Sequence, residues 1–118
     1  MTEIRWRVAY SLSTATNRDP EIVQKLKDLL HDTDSVVRIN AAETIHALEV
    51  GSTNVVDAAI SLLEDRSRTT RLRAKRLILA RKPLESQQMT RLRDLLRHDK
   101  SYVSKIARST IHQLALPQ

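Results

Sequence analysis

Cysteine is absent from the 118-residue chain. Its absence removes disulfide frameworks, thiol catalysis and thiolate metal sites, and it suits a cytoplasmic address. Glycine occurs once, at Gly51, and proline three times. Tight β-turns and phosphate-cradling loops need glycine where φ is positive or where a phosphate comes close. An all-β fold is therefore not expected, and a dinucleotide-binding fingerprint or a P-loop is excluded. Aromatic residues are confined to Trp6, Tyr10 and Tyr102, too few for the stacking platform of a single-strand binder. Hydrophobic runs such as Leu77 to Ala80 are far too short to span a bilayer, so no membrane is expected as a partner. The opening segment MTEIRWRVAY carries Glu3, Arg5 and Arg7 and lacks the apolar core of a signal peptide.

What the chain does contain is Leu, Ala, Arg, Lys and Glu in abundance, the residues of helices, in the length of one ordinary domain. They recur with a period of 33 residues, without a gap. Arg5, Arg38 and Arg71 are related by that shift, as are Val8, Ala41, Ala74 and Ala107, and Leu12, Ile45, Ile78 and Ile111. The pair Leu29-Leu30 returns as Leu62-Leu63 and Leu95-Leu96. Each period predicts two helices. The first, A, covers about 20–31, 53–64 and 86–97; the second, B, about 35–49, 68–81 and 101–115. Asp19-Pro20 offers a cap followed by proline at the first helical position. Ser52 or Thr53, Ser86, Ser35 and Ser101 offer further caps, and Gly51 and Pro83 offer stops. Val37, Ala41, Ile45 and Leu48 share one face of a B helix, and Ile22, Leu26, Leu29 and Leu30 one face of an A helix. Neither helix hides its stripe alone; stacking pair on pair does. The expected organisation is a half repeat at 1–16 and whole repeats at 17–50, 51–83 and 84–118, in a single domain.

Ankyrin repeats share the period but need a glycine-rich turn and a TPLHxA-type start, and neither is present. The stretch LLHDTDSVVRINAAETIHAL, residues 29 to 48, instead resembles the short HEAT repeats of the phycobilisome-lyase type. The shared features are a Leu-Leu pair, an acidic hinge, Val-Arg, two residues and then Ala-Ala. In the second repeat Lys75 stands at the second alanine; in the third, Ser104 replaces the arginine and Arg108 the second alanine. The resemblance covers nearly the whole chain. It implies an all-α, right-handed α-solenoid of about three and a half helical hairpins. It also implies a ladder between neighbouring repeats, in which Arg5, Arg38 and Arg71 meet carboxylates such as Asp32, Asp34 and Asp65 together with exposed loop carbonyls.

No constellation with catalytic spacing is present. His31, His46, His98 and His112 show no metal-ligand spacing, and two repeats, roughly 20 Å at ~8–10 Å per packed helix, separate His46 from His112. Asp28, Asp32 and Asp34 lie near one another but in a hinge that gives no cause for a shifted pKa. No nucleophile elbow or triad pattern occurs. The expectation is therefore a protein that is not an enzyme and needs neither metal nor cofactor.

Charge is distributed unevenly. Residues 66–108 hold 14 Lys or Arg against three Asp or Glu, a net of +11; residues 1–65 hold six against 11, a net of −5. The run DRSRTTRLRAKRLILARK, residues 65 to 82, is the densest. Arg73, Lys75 and Arg76, with Lys105 and Arg108 one repeat later, leave the expected buried stripe and form a positive patch on neighbouring B helices. The expected partner surface runs along successive B helices. It comprises Arg7 and Tyr10, then Asn40 and Glu43, then the five basic residues with Ser109. The sequence thus favours a non-catalytic protein–protein interaction scaffold or adaptor, with an acidic partner suited to the patch. A nucleic-acid or polyanion binder is the first alternative. An accessory subunit of a bilin-lyase-type enzyme is the second, although no chromophore site is legible.

The 33-residue register makes residues 3–15 a B helix without its A helix. Such an end shows core-type residues to water, here Ile4 and Trp6 among others. Association with a second copy or a partner through Ile4 and Trp6 is the expectation there.

Overall fold

The structure, a computed structural model, describes residues 20–48 and 54–117. Among the described residues it is all-helical, with no strand. Six α-helices follow in order: α1 (Pro20–Leu29), α2 (Ser35–Ala47), α3 (Asn54–Leu62), α4 (Arg68–Ala80), α5 (Ser86–Asp94) and α6 (Ser101–Leu114). A 3₁₀ turn, Leu95–Arg97, extends α5, so the third A-type segment does not run as α-helix to residue 97. None of these helices is long and apolar enough to cross a membrane.

The chain divides into two compact units, 1–58 and 59–118. In the first, α1 packs on α2. Leu26 and Leu30 of the A-type segment are buried, and Ile22 and Leu29 are half-buried. On α2 the expected stripe of Val37, Ala41, Ile45 and Leu48 is buried throughout. Ile39, Ala42 and Thr44 are buried as well, so α2 is enclosed on most of its circumference. A helix with apolar contacts nearly all round is a core element.

In the second unit α6 packs on α4, on α5 and on the 3₁₀ turn. Its core holds Ile60, Leu62, Leu63, Ala74, Ile78 and Leu92, together with Val103 and Ala107. Two of the buried threonines bond locally. The hydroxyls of Thr44 and Thr110 donate to the carbonyls four residues back, Asn40 O at 2.8 Å and Ile106 O at 2.7 Å.

The helices start one residue away from three of the expected caps. Asp34, not Ser35, caps α2: its Oδ1 accepts from Val36 N at 2.8 Å and Val37 N at 3.3 Å. Glu85, not Ser86, precedes α5 in a capping box, and its amide donates to Gln88 Oε1 at 3.0 Å. Lys100, not Ser101, stands at the cap of α6 and brings no side-chain cap bond. Ser67 caps α4 by accepting from Thr70 N at 3.3 Å. The caps expected at Asp19, Ser52 and Thr53 and the stop at Gly51 lie outside the described residues.

Candidate interaction surface

The hinges between paired helices share one construction. Asp34 N donates to Asp32 Oδ1 at 2.9 Å, and Ser67 N donates to Asp65 Oδ2 at 2.9 Å. In the third hinge Lys100 N donates to His98 Nδ1 at 3.1 Å. In each case a side chain closes a short turn by accepting the amide two residues on. His98 therefore takes the place of an aspartate, which the 33-residue shift from Asp65 to His98 shows and which its residue type conceals.

The arginines expected in a ladder turn to the same hinges. Arg38 Nη1 donates to Asp32 O at 2.7 Å. Arg71 Nη1 donates to Asp65 O at 2.9 Å and to Arg66 O at 2.8 Å. These bonds stay within the hairpin to which each arginine belongs, and they meet carbonyls. Backbone amides donate to the hinge carboxylates, to Asp34 at the α2 cap and to Asp32 and Asp65 in the turns. A guanidinium is well suited to a carbonyl whose backbone has left the helix, since it brings several donors in a rigid fork. Within the second unit the two hinges are joined by other contacts. The Arg71 guanidinium lies 4.4 Å above the Tyr102 ring centre, and His98 Nε2 lies 3.2 Å from Glu64 Oε1. Tyr102 gave no sign of this role in the sequence, because the repeat places no aromatic residue there.

The expected partner surface divides into three. Arg7 and Tyr10, the self-association residues Ile4 and Trp6, and Arg5 of the ladder lie outside the described residues. Asn40 and Glu43 are half-buried, and each makes a polar interaction already. The basic residues of α4 and α6 differ in exposure. Arg76, Lys105 and Arg108 are exposed, and Arg73 and Lys75 are half-buried. Lys75 Nζ donates to Ser109 Oγ at 2.7 Å, a bond that pins α4 to α6 and joins two of the expected surface residues. Helical spacing puts Leu72, Arg76 and Leu79 on one strip of α4, and both leucines are half-buried.

Each unit carries a hollow. One of about 630 Å³ is lined by Lys82, Leu84, Met89, Arg93, Ile111 and Leu114, and brings two cations to an apolar wall. The other, about 410 Å³, lies along α1 beside Glu21, Gln24 and Asp28, where Gln24 Nε2 donates to Asp28 Oδ1 at 3.0 Å. Among the described residues, His31 and His112 are exposed, His46 and His98 are half-buried, and no group of three or more His, Asp or Glu is arranged to hold a metal ion. No family model, curated protein or solved structure matches the chain.

Proposed function

We propose that the chain is a non-catalytic protein-interaction module, a right-handed α-solenoid of short HEAT-like hairpins that binds through its B-type helices α4 and α6. The observation that carries the repeat reading is positional. α2, α4 and α6 begin at Ser35, Arg68 and Ser101, and they bury Val37, Thr70 and Val103, then Ala41, Ala74 and Ala107, at matching positions. The observation that favours binding is the exposure of Arg76, Lys105 and Arg108 on two helices joined by the Lys75–Ser109 bond. Side chains there project from rigid elements, which lowers the ordering cost of association.

The experiment is affinity capture with wild type and with Arg76→Glu/Lys105→Glu, each checked for an unchanged thermal melt. Loss of protein partners from the variant is the expected result, and identical partners in both captures would refute the reading. The polyanion alternative is separated by a duplex-binding titration over a salt series. A linear fall of log K with log salt that flattens on charge reversal at Lys75, Arg76 and Arg108 favours phosphate contacts.

A further inference from the structure

We infer that the α4–α6 face takes an acidic amphipathic helix from a partner protein, an assignment that rests on the protein-binding reading above. Arg76, Lys105 and Arg108 are exposed, and among the described residues none makes a hydrogen bond or ion pair. The acids nearest in sequence are committed elsewhere: Asp99 Oδ1 lies 3.2 Å from His98 Nδ1, and Glu85 belongs to the capping box of α5. The face therefore carries positive charge with no counter-charge of its own, and it attracts carboxylates or phosphates alike.

Two observations separate those chemistries. The half-buried Leu72 and Leu79 flank Arg76 one turn to either side. An apolar strip between cations has nothing to offer a phosphate backbone but matches the apolar stripe of an amphipathic helix. Base stacking is disfavoured too. Tyr102, the one aromatic among the described residues, has Arg71 over its ring at 4.4 Å and Lys100 Nζ at 5.9 Å from the ring centre. Lys105 and Arg108 stand three positions apart on α6, so carboxylates spaced by one turn on an incoming helix reach both. The Lys75–Ser109 bond at 2.7 Å keeps the two helices, and hence the three free cations, in fixed register.

The test uses the full chain and a ~16-residue Glu/Leu peptide patterned at the helical period, with a scrambled peptide of the same composition and a ~20-base-pair duplex as comparators. Binding is read by calorimetry at low salt. The patterned peptide is expected to bind about tenfold more tightly than the scrambled one, and Arg76→Glu/Lys105→Glu/Arg108→Glu to weaken it by a further factor of about ten or more. Arg93→Glu, the same charge change on α5, is expected to alter it by less than about twofold, the loss of long-range attraction alone. Should the triple variant melt early, the neutral changes Lys105→Gln/Arg108→Gln serve in its place. Equal affinity for both peptides, tighter binding of the duplex, or indifference to the charge reversals overturns the inference. If the peptide fails to bind while partner capture still depends on Arg76 and Lys105, the acidic-helix assignment falls and the protein-binding reading stands. If capture is also indifferent to those residues, both fall.

Discussion

Helices α2 and α6 hold the same position in the 33-residue repeat and have opposite surroundings. Ile39 and Ala42 of α2 are both 0% exposed. Their equivalents on α6, Lys105 and Arg108, are exposed. The hinge before α2 has an acidic acceptor and an acidic cap, Asp32 and Asp34, and an arginine, Arg38, returns to it. The hinge before α6 has His98 and Lys100 at those positions, and Ser104 stands in place of the arginine, its hydroxyl donating to Ser101 O at 3.1 Å. The two helices thus share a buried stripe, Val37 and Ala41 on one and Val103 and Ala107 on the other, and differ over the rest of their surfaces. α2 spends its remaining surface on burial, whereas α6 leaves its own open and charged.

The largest effect that would break this comparison lies at the 39/105 pair. Ile39→Ala is expected to cost about 2–5 kcal/mol, as truncation at a fully buried site does. Lys105→Ala, at the same repeat position, is expected to stay within about 0.5 kcal/mol. Urea midpoints give both, and similar values would dissolve the contrast. Next come the hinge arginines. Arg38→Ala and Arg71→Ala are each expected to cost about 1–3 kcal/mol through carbonyls left without a charged donor, with Arg71 the larger, because it also loses its second carbonyl and its place over Tyr102. Arg76→Ala, with no such bond, is expected to be near neutral in the same titration. The caps sharpen the comparison by sign. Asp34→Ala is expected to destabilise by about 1 kcal/mol, and Lys100→Asp to stabilise by a similar or smaller amount, since it adds an acceptor at an uncapped helix start. Melting temperatures that moved in the same direction for both would show that the α6 cap is already satisfied in another way.

Helix existence and the buried stripe are legible in the sequence, because both follow from the 3.6-residue period that burial enforces along each helix. Val37, Ala41 and Ile45 needed nothing more. The caps of α2, α5 and α6 lie one residue before the serines the sequence suggests, at Asp34, Glu85 and Lys100, since periodicity places a helix boundary only to within a residue or two. Burial of Ile39 and Ala42 is illegible for a different reason. Helical periodicity marks one buried face and carries no signal for others. The contacts of the candidate surface were the least legible. Lys75 meets Ser109 across 34 residues and Arg71 meets Tyr102 across 31, distances at which a repeat register says which helices adjoin but not which side chains touch.

The absence of cysteine allows the central contrast to be measured without background. Ile39→Cys, Leu72→Cys and Lys105→Cys place one thiol at the same repeat position in three successive B-type helices, and their reaction rates with an aromatic disulfide reagent report access directly. The account predicts the order 105 fastest, 72 intermediate and 39 slowest, with the thiol at 39 reacting only through transient opening and so slowed by orders of magnitude. Comparable rates at 39 and 105 would contradict it, for the three hairpins would then present the same face to solvent and the basic surface of α4 and α6 would have no special standing.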